Sequence, residues 1–166
     1  MKKFLLLALT LGTLVGCAAP RYSGSSIEPG IMASSPNVAV VKDRETREGF
    51  LAAVESWLRH NNYQYTVIPE GSKFEPDDLT LEYVGYWRWD LALFLHQADI
   101  KAHFKGQQVG TVNFEAPNNM SPRKFGNAEE RIGYMLDVLF GKISAAEATS
   151  AIDKQENLES TQKSEL

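Results

Sequence analysis

The residues best suited to binding chemistry lie in one stretch, residues 82–90, which reads EYVGYWRWD. An arginine among aromatic rings can hold a ligand by stacking and by charged hydrogen bonds. Strand alternation, however, places Trp87 and Trp89 on one face and Tyr86 and Arg88 on the other. We therefore predict that both tryptophans face the core, and that Tyr86 and Arg88 are the candidate lining of a binding site on the wet face.

The histidines and carboxylates do not form a recognisable catalytic pattern. His96 and His103 lack the HxH or HExxH spacing of a zinc site, and His60 closes a predicted helix. Asp99 and His103 share one face of a predicted strand, but no nucleophile accompanies them. Neither a G-x-S-x-G elbow nor a phosphate-binding loop is present. We predict no catalytic residues, no metal site and no cofactor, and expect that the chain is not an enzyme.

The single cysteine, Cys17, ends an N-terminal segment that reads MKKFLLLALTLGTLVGC. Its apolar run, residues 4–15, has twelve residues, too few to span a bilayer core, and fits the hydrophobic region of a signal peptide. The ending LVGC resembles the lipobox of bacterial lipoproteins. The resemblance implies that the signal peptide, residues 1–16, is removed and that Cys17 is acylated on its sulfur and new amine, palmitate being a typical chain. An ordinary signal peptide with an incidental cysteine is the alternative.

The residue after the cysteine and the charge of the chain bear on location and partners. The lipobox resemblance implies three acyl chains, two on the sulfur and one on the amine, which exceed the two signals that stable membrane anchoring takes. Ala18 stands where lipoproteins kept in the inner membrane carry aspartate, which implies the outer membrane of a Gram-negative envelope, facing the periplasm. The formal charge is -4, and without Lys2 and Lys3 the 15 remaining basic residues face 21 acidic ones. No conspicuously basic face appears, so nucleic acid is not an expected partner.

Composition divides the mature chain into three parts. Residues 17–36 are rich in Ser, Gly, Pro and Ala and are predicted to form a lipidated flexible tether of roughly 25 Å. Residues 37–143 are predicted to form one globular domain. Residues 144–166 contain few large apolar side chains and are predicted to be a mostly disordered tail. Deleting residues 155–166 is therefore expected to change stability little.

Hydrophobic periodicity in residues 37–143 gives the order strand, helix, four strands, helix. The first three elements predict a parallel crossover, and a change of phase within residues 91–97 predicts a bulge or a short turn. KGQQ at 105–108 predicts a hairpin turn. Asn127 is predicted to cap the last helix in a capping box, and Gly141 to end it. We predict an α+β fold in which two helices pack on one face of a mixed sheet of about five strands.

Three segments carry a resemblance to a known family: YWRWDLALFLHQADIKA, GQQVG and KFGNAEERIGYMLDVLF. They resemble small proteobacterial outer-membrane lipoproteins of unknown function, over roughly residues 37–142. The resemblance implies a fold similar to the small α+β domains of envelope assembly lipoproteins, and it supplies no catalytic residues.

Three functions are compatible with these observations. The first is a non-enzymatic, lipid-anchored outer-membrane lipoprotein that serves as an interaction module in envelope assembly or transport, with an envelope protein as its partner. The alternative is a binding module for a small ligand, a lipid or a peptidoglycan fragment, for which Tyr86 and Arg88 are candidate lining residues. The third is a hydrolase, which Asp99, His103 and a hydroxyl group within hydrogen-bond reach of one another would favour.

Overall fold

One mixed sheet and its helices make up the fold in the computed structural model, which describes residues 19–34, 37–73, 77–117 and 120–164. The strands are β1 Tyr22–Ser25, β2 Val38–Lys42, β3 Tyr65–Pro69, β4 Leu79–Asp90, β5 Ala92–Phe104 and β6 Gln107–Glu115. The helices are α1 Pro29–Ser34, α2 Glu48–His60, α3 Ala128–Leu139 and α4 Ala145–Ser164, with a 3₁₀ helix at Pro122–Phe125.

The six strands are ordered β1-β6-β5-β4-β2-β3. Strand β2 pairs in parallel with both β3 and β4, and the other pairs are antiparallel. The predicted α+β class, the mixed sheet and the parallel β2-α2-β3 unit are confirmed. The predicted count of about five strands is too low, because β1 adds an edge strand beside β6.

Strand β1 and helix α1 lie inside the range predicted as a flexible tether, so that prediction is wrong for residues 21–34. Tyr22 is buried, and its ring lies 5.2 Å from that of Phe114. The Ile27 N–H donates to the carbonyl of Leu139 at 2.8 Å. These contacts with distant residues fix a stretch whose own composition favours flexibility. The signal peptide, residues 1–16, and Cys17 lie outside the described residues.

Helix α4 occupies most of the range predicted to be a disordered tail, and that prediction is also wrong. Ala148, Thr149, Ile152 and Glu156 are buried along one side of the helix. Only one of these four is a large apolar residue, so the buried side lacks the hydrophobic pattern by which helices are usually recognised. The folded unit therefore extends beyond the predicted 37–143 and includes both β1 and α4.

Helices α2 and α3 cover one face of the sheet, as predicted. The rings of Phe50 on α2 and Tyr83 on β4 stack at 4.7 Å with an interplanar angle of 3°. On the other face, residues of β4, β5 and β6 are exposed to solvent, among them Val84, Tyr86, Gln97, Lys101 and Asn113. We call this the open face.

Gly85 is required where Phe50 crosses β4. A Cβ atom at Gly85 would lie 2.9 Å from Cδ2 of Phe50, whose ring is held against Tyr83. We expect Gly85→Ala to lower the free energy of unfolding by about 1–3 kcal/mol, as overpacking of a core does. Gly49→Ala is the matched control, because nothing lies within 4 Å of its Cβ position. Urea denaturation of both variants is the measurement, and an equally stable Gly85→Ala protein would contradict the contact.

The predicted change of phase between β4 and β5 is confirmed as both a turn and a bulge. Leu91 forms the turn with a φ of 61°. Tyr86 pairs with Gln97 whereas Trp87 pairs with Leu95, so His96 is the extra residue of the bulge. The turn in KGQQ is confirmed too, since Lys105 and Gly106 have φ values of 51° and 77°.

The two tryptophans of β4 do not both face the core. Trp87 is half-buried and packs against core residues, but Trp89 is 74% exposed, so the prediction for Trp89 is wrong. Strand β6 ends opposite Gln97, and beyond that point β4 pairs only with β5. Side chains still alternate in this two-stranded ribbon, but no further strand of the sheet lies beside it among the described residues. We call residues 87–95 the β4–β5 tip.

The ends of α3 follow the sequence signals in part. The side chain of Asn127 accepts a hydrogen bond from the Glu129 N–H, which confirms the predicted N-cap. The side chain of Glu130 hydrogen-bonds to Gln155 of α4. The second hydrogen bond of the predicted capping box, from the Asn127 N–H to Glu130, is therefore not among the contacts of Glu130. Gly141 follows the helix with a φ of 70°, the left-handed conformation expected of a residue that ends it.

Candidate functional site

Tyr86 and Arg88 both lie on the open face, as predicted from alternation. Tyr86 is 50% exposed, and Arg88 is exposed one step closer to the β4–β5 tip. Arg88 borders a groove of about 720 Å³, which we call the Arg88 groove. Its lining residues are Ala19, Pro20, Arg21, Arg88, His96, Gln97, Glu115, Ala116, Pro117, Arg123 and Asp153.

The bulge at His96 brings the polar side chains of the groove together. A bulge places two residues opposite one and re-aims side chains at the edge of a sheet. The His96 carbonyl accepts the Ala116 N–H at 2.8 Å, which holds the chain leaving β6 against β5. As a result His96, Gln97 and Arg88 border the same groove although Arg88 is on a different strand.

The charges of the groove are unequally compensated. Arg21 lies 2.9 Å from Asp153 and 2.8 Å from Glu156, and Arg123 lies 3.2 Å from Asp153. Among the described residues, no ion pair engages Arg88. Its guanidinium thus keeps all five donors outside any ion pair with a described residue, and these donors suit a carboxylate or a phosphate.

The imidazole of His96 is biased toward its neutral form. Partial burial lowers its pKa, the positive charge of Arg88 lowers it further, and the carboxylate of Glu115 opposes both effects. At neutral pH the ring therefore offers one hydrogen-bond donor and one acceptor. The groove combines a cation, a neutral imidazole and an amide, which favours a polar or anionic binding partner.

Two further grooves extend this surface on either side of Tyr86. One, of about 380 Å³, shares Arg21, Gln97 and Glu115 with the Arg88 groove and reaches Tyr86 and Asp99. The other, of about 750 Å³, begins at Tyr86 and Asp99 and continues to Lys101 and beyond. All three are partly open to solvent. Such a series suits an extended partner better than a small molecule, because ligand pockets bury most of their ligand.

The histidines and acids considered for catalysis have separate partners. The amide of Asn113 donates to Asp99, whereas Nδ1 of His103 lies 3.5 Å from Glu82. Nδ1 of His60 lies 2.7 Å from the Ser56 carbonyl. These contacts do not assemble the cluster that would favour a hydrolase. In the described part of the chain, no three His, Cys, Asp or Glu residues are grouped so as to hold a metal ion.

A buried network of ion pairs lies beneath the Arg88 groove. The sequence analysis did not predict it. Arg131 of α3 is fully buried and lies 2.8 Å from Glu156, which is 2% exposed. Arg131 also donates to the carbonyls of Leu95, Lys124 and Arg123. It thereby ties α3 and α4 to the β4–β5 tip and to the 3₁₀ helix. The available signal was its spacing, because residue 131 lies one helical turn before Met135 on the apolar side of α3.

Comparisons with known proteins give little further information. No protein-family model matches the chain, and no curated protein matches it in sequence. A crystal structure of a minor lipoprotein from Acinetobacter baumannii is similar over 75% of this chain and 94% of that one, with 8% identity and a TM-score of 0.26. A likeness at that level is too weak to carry an argument about fold or function, so the family resemblance stays a prediction.

Among the described residues, no helix is both long enough and apolar enough to cross a bilayer.

Proposed function

We propose that this chain is a lipid-anchored lipoprotein of the outer membrane, facing the periplasm, and that it works as a non-enzymatic interaction module in envelope assembly or transport. The anchor is Cys17, through the lipobox-like LVGC. The partner is an envelope protein that lies along the open face. The observation that carries the proposal is the exposed pair Tyr86 and Arg88, since Arg88 has no ion-pair partner among the described residues and Tyr86 projects from a sheet face that none of the described helices covers.

The chemistry of the open face defines the partner. Tyrosine and arginine are the residues most enriched at the energetic centres of protein interfaces, with tryptophan. Arg88 needs an acidic or otherwise anionic group, while Val84 and Tyr86 supply apolar contact area on the same face. An extended segment with a carboxylate among apolar residues fits this combination.

A small anionic ligand is the second candidate, and the volume of the Arg88 groove favours it. About 720 Å³ lies within the roughly 300–1,000 Å³ of ligand pockets. The guanidinium of Arg88, next to the neutral imidazole of His96, would hold a phosphate or carboxylate group. A lipid headgroup or a peptidoglycan fragment carries such groups.

Photo-crosslinking in intact envelopes tests the first candidate. A photoreactive residue placed at Tyr86 should give a discrete adduct with the mass of a second protein. Arg88→Glu in the same chain should remove most of that adduct, because it replaces attraction for an anionic segment by repulsion. Lys154→Glu is the matched control, since Lys154 is exposed on α4 and lines none of the three grooves, and should leave the adduct unchanged.

Two outcomes would decide against an interaction with a protein. An adduct that survives Arg88→Glu would show that Arg88 does not hold the partner. An adduct of small mass, found by mass spectrometry of the intact chain, would replace the protein partner by the small ligand.

A further inference from the structure

The β4–β5 tip exposes three large apolar side chains to water. Trp89, Leu91 and Leu93 are 74%, 84% and 43% exposed. Trp89 and Leu93 are paired across the two strands, and Leu91 forms the turn between them. The three residues thus form one apolar wedge at the end of the hairpin. Hairpin turns usually carry polar residues or glycine, so this composition needs a reason other than folding.

The backbone of Leu91 adds a second departure from ordinary turn chemistry. Its φ of 61° lies in the left-handed region, which glycine and asparagine occupy with little strain and a branched apolar residue does not. Leucine at the most exposed point of the turn is therefore unfavourable both for its backbone and for its contact with water. Strain of this kind is retained where the side chain itself is used.

Basic side chains surround the base of the wedge. Arg88 is exposed and has no ion-pair partner among the described residues, and the guanidinium of Arg47 lies 5.7 Å from the centre of the Trp87 ring. Lys124 of the 3₁₀ helix contacts Asp90, so that acid is compensated. In the described part of the chain, Arg88 and Arg47 thus leave two positive charges without an ion pair at the end that carries the wedge, although the chain as a whole is acidic. Apolar residues projecting beyond a basic rim match the interface of an anionic membrane.

The position of the proposed anchor points to the same end of the molecule. Arg21 is 4% exposed and is fixed by Asp153 and Glu156. Arg21 follows Cys17 by four positions, which allows at most about 14 Å of extended chain between them. This is much shorter than the tether that composition predicts, because β1 takes up residues 22–25. The acylated residue would therefore stay close to the folded unit.

The register of the sheet places that attachment beside the tip. Tyr22 pairs with Phe114, Phe114 with Ala98, and Ala98 with Gly85, so these four residues form one row across the sheet. The next row toward the tip contains Arg21 on β1's side, then Gln97 and Tyr86 on β5 and β4. Ala19 and Pro20 line the Arg88 groove, next to the base of the wedge.

We propose that the β4–β5 tip inserts into the interfacial layer of the phospholipid bilayer that holds the acyl chains of Cys17. This inference rests on the proposed lipid anchor. Trp89, Leu91 and Leu93 enter the boundary between headgroups and acyl chains, where tryptophan is enriched and where apolar residues leave water. Arg47, beside the Trp87 ring, lies at the level of the lipid phosphates, whereas Arg88, on the other face of β4, stays available to the protein partner. The insertion and the short anchor together fix the orientation of the domain, with the open face leading away from the bilayer from Arg88 toward Lys101.

Quenching of tryptophan emission by brominated acyl chains tests the insertion. The full mature protein is purified from envelopes and reconstituted into vesicles of phosphatidylethanolamine and phosphatidylglycerol, with and without brominated phosphatidylcholine. We expect the bromine atoms to quench the wild-type emission. Trp89→Phe should remove most of the quenched component, because Trp57 and Trp87 pack within the folded domain. Trp57→Phe is the matched control and should retain it.

A second variant and a mass measurement make every outcome informative. Leu91→Ser should reduce the quenching of Trp89 severalfold without unfolding the chain, since Leu91 is exposed. Wild-type emission that is insensitive to the brominated lipid, in a chain shown by mass spectrometry to be acylated, would overturn the insertion and leave the anchor standing. A chain that carries no acyl mass would overturn the anchor, and with it this inference. Equal quenching of wild type and Trp89→Phe would assign the membrane contact to another part of the molecule.

Discussion

Replacing Glu156 by glutamine is expected to lower the free energy of unfolding by about 3–5 kcal/mol, the usual effect of removing one partner from a buried ion pair. Arg131 is fully buried, and Glu156 is the acidic group within its reach, at 2.8 Å. The amide of glutamine keeps the shape of the side chain but removes the charge, which leaves the guanidinium of Arg131 uncompensated in the core. Arg21 loses one of its two acidic partners at the same time.

Glu159→Gln provides the matched control for that variant. Glu159 lies on the same helix and is in no ion pair among the described residues, so its replacement should change stability by less than about 0.5 kcal/mol. Urea denaturation followed by circular dichroism gives both values. Truncation after Lys154 also removes Glu156 and should destabilise the protein to a similar extent. Composition alone predicted that deleting residues 155–166 would change stability little. Equal stability of the Glu156 and Glu159 variants would contradict the buried network.

The parts of the fold that were predictable are those specified by local periodicity. Residues 81–86 alternate between the core and the open face, and the phase change after Leu91 correctly located the turn and the bulge. The placement of Tyr86 and Arg88 on the open face followed from the same alternation. In each case, the information lies within about ten residues of sequence, and the pleat of the strand converts it directly into orientation.

The parts that were not predictable depend on contacts far apart in sequence. The burial of Tyr22 depends on β6, and that of Glu156 depends on arginines at positions 21 and 131. A helix that is held in place by an ion pair shows no hydrophobic periodicity in its sequence, so the composition of α4 predicted a polar tail. The prediction that Trp89 is buried was wrong for the opposite reason. Trp89 does lie on the predicted side of the strand, but strand β6 ends before it. Alternation fixes the side on which a residue lies but not whether another element covers that side.

Cys17→Ser is expected to abolish acylation and to release the protein from the membrane or leave it unprocessed. The motif that LVGC resembles is acylated first on the cysteine sulfur, which serine lacks. No other cysteine exists in the chain, so no second thiol could replace it. The effect should be complete rather than graded, because membrane attachment by acyl chains is lost when the attachment atom is lost. Ala18→Ser keeps the cysteine and serves as the control.

Mass spectrometry of the mature N-terminus, isolated from separated envelope membranes, tests the central claim most directly. The account predicts that the wild-type chain and Ala18→Ser begin at residue 17 with the added mass of the acyl chains and are recovered in the outer-membrane fraction. It predicts no such species for Cys17→Ser. A wild-type chain that is cleaved elsewhere, carries no acyl mass or is recovered as a free periplasmic protein would contradict the account.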